Sequence, residues 1–312
     1  DGESTAQSYS GKDLTDKPAI VLMDSGSASA SEIFAGGVLG TGSGIVIGTR
    51  SYGKGVAQVL YDESNCPYLH GDAVKVTAYR FYCAGGNTTD RIGVVPTLYI
   101  PQDQAVAAAR LLSGEKTKDS AYLRMVLNGC DFYIDISAAK EISSTVLEAI
   151  LTALTPDAVL YWGENGGERK LTLAQAREKC GFAASSALDF SDVADSEYAQ
   201  EIDSLAASRI VFGDGGKFRP GATMTRAEVC ALLAQALDLY STADGYFTDV
   251  AKGSWYAPSV NAMAAIGLVS GVGGGKFDPN ATITQEEFIT VLGRLVEFVN
   301  LDAREFLDKN PL

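Results

Sequence analysis

Two residues, Ser29 and Lys54, set the chemistry this sequence can support. Ser29 lies in Gly26-Ser27-Ala28-Ser29-Ala30-Ser31-Glu32; Lys54, 25 residues on, sits between glycines in Gly53-Lys54-Gly55, with Gln58 four residues later. A serine hydroxyl is a weak nucleophile until a neighbouring base takes its proton, and a lysine driven by burial toward its neutral form can be that base. The sequence holds a single histidine, His70, in a polar stretch near Pro67 and Gly71, so a Ser-His-Asp triad would rest on that residue alone. The Gly-x-Ser-x-Gly frame of the common hydrolase elbow does not surround Ser29.

These side chains need elements to hold them. Residues 18–23 form a short apolar run that reads as a buried strand, ended by Asp24-Ser25-Gly26, and Ser29 opens a helix through Ile33, Phe34, Val38 and Leu39. A nucleophile at a helix start has backbone N–H groups and the positive dipole end beside it, with Ala30 N–H the first donor for an oxyanion. Ser29-x-x-Glu32 is equally a capping box, and many such serines only cap. Residues 48–54 also spell the first seven positions of a phosphate-binding loop. Against that reading, Gly55 stands where the motif needs Ser or Thr, and residues 56–61 read as a strand where it needs a helix.

Taken together, residues 17–100 resemble the tail-specific, or carboxyl-terminal processing, serine peptidase family. The likeness runs through the apolar strand, the Ser-Ala-Ser-Ala-Ser-Glu helix start, Gly-Lys-Gly with its glutamine, Tyr79-Arg80-Phe81-Tyr82, and Gly93-Val94-Val95-Pro96 before a strand. The resemblance implies Ser29 as nucleophile, Lys54 as general base, Gln58 as the residue that positions the lysine, and no cofactor or metal. Ser29 is chosen over Ser27 and Ser31 because its separation from Lys54 is the family's spacing. Thr97 departs from the pattern, which commonly has aspartate there. The family also places a PDZ domain and the first core strands upstream of the serine segment. The resemblance therefore implies that half of the substrate cleft lies outside this chain, and that these residues alone have weak activity or none.

The 312 residues are 46% hydrophobic and carry a net charge of −14, enough apolar content for two or three cores and a charge that disfavours nucleic acid and anionic membranes. No apolar run approaches the roughly 20 residues of a membrane span. Five scattered cysteines, Cys66, Cys83, Cys130, Cys180 and Cys230, show neither zinc spacing nor disulfide-scaffold density. They read as mostly free, buried thiols, with a Cys66–Cys83 bridge open if the flanking strands pair.

The last third repeats itself. Phe190-Ser191-Asp192-Val193 returns as Phe247-Thr248-Asp249-Val250, Gly216-Lys217-Phe218-Arg219-Pro220 as Gly275-Lys276-Phe277-Asp278-Pro279, and Thr225-Arg226-Ala227-Glu228 as Thr284-Gln285-Glu286-Glu287. Val229, Leu232, Leu233, Ala236, Leu237 and Tyr240 line one helix face; Phe288, Val291, Leu292, Leu295, Val296 and Val299 line its counterpart, 59 residues later. Each helix starts at a Thr-x-x-Glu capping box, and units of this size bury their stripes only against neighbours. These units resemble S-layer homology repeats, which hold bacterial surface proteins on cell-wall polysaccharide. Phe306-Leu307-Asp308 reads as the start of a third. The resemblance implies that Arg226 contacts the anionic sugar, a planar charged fork suiting a carboxylate; the alternative is a solvated helix-start residue. With Gln285 in its place, repeat two binds weakly or serves as packing. Trp255 either stacks on sugar or fills the core, and the core reading is favoured.

The expected fold class is mixed α+β: an α/β peptidase core fragment over 1–114, a small α/β spacer over 115–188, and all-α S-layer homology repeats over 189–245 and 246–300, with 301–312 starting a third. Within the spacer, residues 105–112 and 145–154 read as helices, 132–136 and 158–162 as strands, 163–167 as a turn, and Thr172-x-x-Gln175 caps a last helix to Cys180. Two functions remain open. One is a wall-anchored extracellular serine endopeptidase, taking protein or peptide substrates and binding anionic secondary cell-wall polysaccharide. The other is a non-catalytic surface protein with a degenerate peptidase fold. The intact Ser29, Lys54 and Gln58 set favours the first.

Overall fold

The computed structural model describes residues 15–84, 88–117, 120–186 and 188–299, so the third Phe-x-Asp, at 306–308, lies outside the described residues. Strand β1 (Ala19–Met23), helix α1 (Ala30–Gly40) and strand β2 (Gly44–Gly48) form a βαβ unit in which β1 and β2 run parallel, Ala19 opposite Gly44 and Met23 opposite Gly48. Gly44 permits the approach: a Cβ there would meet Ala19 O at 2.1 Å. A hairpin follows, β3 (Val56–Tyr61) with β4 (Val74–Arg80), and then β5 (Leu98–Tyr99) joins β2 to give the order β1-β2-β5.

One expectation for this region is corrected. The apolar run of β1 is not fully buried: as the sheet edge it covers only Met23, and Leu22 is exposed. In α1 the inward face is Glu32, Ala35, Gly36 and Val38, while Ile33 and Phe34 point to solvent. The cause is close packing of small residues, since a Cβ on Gly36 would lie 2.3 Å from Cys83 Sγ. Only a glycine and alanine face fits against that segment.

Helix α2 (Gln102–Leu112) leads into a four-stranded antiparallel sheet of β6 (Tyr122–Leu127), β7 (Cys130–Asp135), β8 (Val159–Glu164) and β9 (Gly167–Leu171), ordered β7-β6-β8-β9. Helix α3 (Ile136–Thr152) has 17 residues and starts nine residues before the expected 145–154. Ser143 takes an extended conformation within it, so it is two helical pieces, the first capped by Asp135, whose carboxylate accepts from Ala138 N at 3.0 Å. Helix α4 (Leu173–Cys180) begins at the expected box, Thr172 Oγ1 accepting from Gln175 N and Gln175 Oε1 from Thr172 N. One apolar cluster joins both sheets, from Ile45, Ile47, Leu98 and Ile100 to Leu123, Met125, Ile134, Leu147 and Ile150. The core thus runs across residue 114.

Residues 189–299 carry α5 (Ala199–Ala207), α6 (Arg226–Leu237), α7 (Ala257–Ala265) and α8 (Gln285–Val299), with isolated bridges such as Thr225 to Thr282 between their loops. The repeated motifs make repeated bonds. Asp192 accepts from Phe218 N and Arg219 N, both 2.9 Å; Asp249 accepts from Phe277 N and Asp278 N, both 2.8 Å. The Phe190 and Phe218 rings lie 5.5 Å apart, the Phe247 and Phe277 rings 5.2 Å. Each Phe-x-Asp therefore clamps the Gly-Lys-Phe turn that precedes its second helix.

Candidate functional site

Ser29 sits at the junction of the β1 turn and α1 with φ 58° and ψ −114°, a conformation costly for any residue with a Cβ. This strained residue stands at a strand-to-helix junction that lacks the Gly-x-Ser-x-Gly sequence. Ala30 is the first residue of α1, so its N–H is among those a helix start leaves without an intrahelical acceptor.

Glu32 organises the surroundings. Its side chain is fully buried, and its carboxylate accepts from Ser29 N at 2.8 Å, Ser51 Oγ at 2.5 Å, Gly53 N at 2.7 Å and Lys54 N at 2.8 Å. Ser29 N and Lys54 N share one oxygen, Oε2, so the two nitrogens are no further apart than twice that distance. A buried carboxylate is tolerable only when its lone pairs are satisfied, and four donors do that here. The sequence reading saw Glu32 as half of a capping box and missed this wider role, because its other partners lie 19 to 22 residues away.

Further bonds fix the lysine loop. Tyr52 N donates to Ser27 O at 2.9 Å, Arg91 N to Gly53 O at 2.8 Å, and Val94 N to Ser51 Oγ at 2.6 Å. Gly93, at φ 74°, lets the second loop in: a Cβ would strike Ser51 O at 2.4 Å. Thr97 replaces the expected aspartate without leaving a gap, its hydroxyl accepting from Val46 N at 3.2 Å. Lys54 is half-buried; Gln58 is exposed on β3, and its amide donates to Thr77 Oγ1 at 3.4 Å across the hairpin. Residues 56–61 are a strand, so the phosphate-loop reading of Lys54 fails. The cysteines are free, which removes the Cys66–Cys83 bridge; burial pushes the Cys180 thiol up to about 11 and that of Cys230 up to about 12.

In the repeats, Arg226 is buried, which corrects the alternative of a solvated helix-start residue. Nε donates to Phe277 O at 2.9 Å, Nη2 to Ser270 O at 2.9 Å and Nη1 to Glu287 Oε1 at 2.6 Å, with the guanidinium 4.7 Å from the Phe277 ring centroid. Arg226 thus staples repeat one to repeat two while lining a groove of about 300 Å³. Arg294 lines the same groove, a cation the sequence reading missed; seven residues past Glu287, it falls on the same helical face. Trp255 is 65% exposed, its ring edge-on to Tyr256, so the core reading of that residue is corrected. Gln285 is exposed.

Residues 1–100 match Peptidase family S41, and residues 189–230 and 246–289 match the S-layer homology domain. Over 91 residues the chain is 40% identical to the carboxy-terminal-processing protease of Bartonella bacilliformis, covering 29% of this chain and 20% of that protein. It is 34% identical over 121 residues to the carboxy-terminal processing protease CtpB of Bacillus subtilis, covering 37% and 24%. It is 33% identical over 127 residues to the surface-layer 125 kDa protein of Lysinibacillus sphaericus, covering 40% and 11%. The chain spans between about a tenth and a quarter of the length of these curated relatives. Among the described residues, no helix is long and apolar enough to cross a membrane.

Proposed function

We propose that the chain is part of a cell-surface serine endopeptidase of the carboxyl-terminal processing type, with a peptidase segment over 1–114, a spacer over 115–188 and wall-binding repeats from 189 on. Ser29 Oγ attacks the carbonyl carbon of the scissile peptide bond as the Lys54 amine takes its proton. The Ala30 N–H stabilises the oxyanion, the protonated lysine returns its proton to the leaving amine, and water then hydrolyses the acyl-enzyme. Gln58 orients Lys54 once a substrate covers the hairpin. Ile33, Phe34 and Tyr52, exposed around the serine and lysine loops, form the apolar rim that an extended peptide desolvates.

The observation that carries this reading is the Glu32 carboxylate. It ties the amides of the nucleophile and the base to one buried anchor, more than a capping serine needs. The test is labelling by a serine-reactive phosphonate of a protein that carries these residues together with the upstream half of the cleft, compared with Ser29→Ala and Lys54→Ala. Loss of labelling in both variants is expected; equal labelling in all three leaves only the non-catalytic surface protein.

The tether reading places an acidic sugar of the wall polysaccharide in the Arg226 and Arg294 groove, with Trp255 as an exposed stacking surface. The S-layer homology matches and the surface-layer relative point to the cell surface. Co-sedimentation with purified bacterial walls should weaken in Arg226→Lys and Trp255→Ala. Undiminished retention in both removes these residues from the glycan site.

A further inference from the structure

The loop that carries Lys54 is held from two directions. Its inner side rests on Glu32, and its outer side touches the repeats. Arg50, at the start of that loop, donates through Nη1 to Ala236 O in the last turn of α6, and burial there lowers its pKa against the attraction of Asp238. Arg91, whose backbone N–H bonds Gly53 O, donates through Nη1 to Phe298 O at 2.6 Å in the last turn of α8. Its guanidinium lies 4.4 Å from the Phe298 ring centroid, and Ile92 beside it packs into the apolar core of the repeats.

The Arg50 acceptor lies at the C-terminus of α6, where the dipole favours a cation and the last C=O groups lack intrahelical partners. The two helices are counterparts in the two repeats, and their N-terminal turns line the Arg226 groove, Arg226 and Val229 from α6, Glu286 and Glu287 from α8. One pair of rigid elements thus spans from the groove to the lysine loop.

We infer that the repeat pair is a working part of the peptidase site, with Arg50 and Arg91 as positioning residues that clamp the two loops framing Lys54 against α6 at Ala236 and α8 at Phe298. This rests on the Ser29 and Lys54 reading for its catalytic meaning, and on geometry alone for the clamp. In this arrangement the repeats hold the general base in register as well as tethering the chain.

The test uses the whole chain. Amide hydrogen exchange is followed in residues 49–55 and 89–94 for wild type, Arg50→Ala with Arg91→Ala, the corresponding pair of lysine substitutions, and Phe298→Ala, which removes the ring beneath the Arg91 guanidinium and keeps the carbonyl. Exchange in both loops should accelerate about ten-fold in the double alanine variant and in Phe298→Ala, and return toward wild type with lysine. Exchange in β6 to β9 should stay unchanged. Phosphonate labelling of Ser29 should slow in parallel. Unchanged loop exchange in both the double alanine variant and Phe298→Ala overturns the clamp, whatever the labelling does. A wild type that labels no faster than Ser29→Ala means that these residues alone hold no active nucleophile, and the exchange result still decides the clamp.

Discussion

In the spacer, Leu123, Met125, Ile134 and Leu160 are completely buried beneath α3, whose Leu147 and Ile150 are equally dry. Around Ser29 the same kinds of element are closed differently: Leu22, Ile33 and Phe34 face solvent, and every residue of β4 is exposed. The spacer gains its order from apolar area removed from water. The Ser29 region holds its geometry through a polar hub, Glu32, and through Ser51, which donates to that hub while accepting from Val94 N. Packing density and functional precision are therefore separable here, and mutations should separate them.

The largest effect is expected at the hub. Glu32→Ala leaves the Ser29, Gly53 and Lys54 amides and the Ser51 hydroxyl without their acceptor, a loss of about 3–5 kcal/mol if the loops cannot rearrange. Phosphonate labelling should disappear with it. Ile150→Ala should cost about 2–5 kcal/mol in denaturant unfolding through the cavity it leaves, yet retain labelling at temperatures where the chain stays folded. Labelling lost in folded Ile150→Ala, or kept in Glu32→Ala, would erase the contrast.

A smaller effect sharpens it from the spacer's outer face. A Cβ at Gly163 would lie 2.0 Å from the Tyr122 ring, so Gly163→Ala must displace that ring and should cost about 1–3 kcal/mol. The Tyr122 hydroxyl donates to Glu168 Oε1 at 2.7 Å, and Arg124 donates to Oε2 through Nε and Nη2. The tyrosine bond, with the Arg124 and Lys116 cations, outweighs burial and lowers the Glu168 carboxyl to about 2. A depressed pKa stabilises the fold above the unfolded value of about 4.3, and that contribution is lost as pH falls through the folded value. Unfolding followed between pH 5 and pH 2 should show a loss of stability that Glu168→Gln flattens.

Local chemistry was legible in the sequence. The boxes at Thr172, Thr225 and Thr284 need partners three residues away, and all three form. The repeat was legible because the same bonds must be made twice. Long-range polar partners were not: Glu32 reaches Lys54, and Arg226 reaches Ser270, Phe277 and Glu287, none within a window that periodicity can scan. Strand β9, Gly-Glu-Arg-Lys-Leu, was missed because an edge strand with one buried residue carries no alternation. Helix α1 was legible, but not which side faces inward: Gly36 fits against Cys83 while Ile33 and Phe34 are exposed.

The smallest effect belongs to Phe34, 64% exposed on that outer side of α1. Phe34→Ala removes a ring that is already mostly in water, so its expected cost is below about 0.5 kcal/mol, the range of ordinary surface substitutions. Labelling by a small phosphonate should be unchanged, since neither Glu32 nor the loop it anchors is touched. The outcome that would reverse the comparison is a cost of 2 kcal/mol or more, the size expected for a buried phenylalanine. Unfolding of wild type and variant at two protein concentrations then identifies what covers the ring. A concentration-dependent midpoint in wild type that vanishes in Phe34→Ala means a second copy of the chain, because mass action links apparent stability to association. A large cost independent of concentration means that residues of the same chain close over α1. The Ser29 region would then rest on apolar burial as the spacer does.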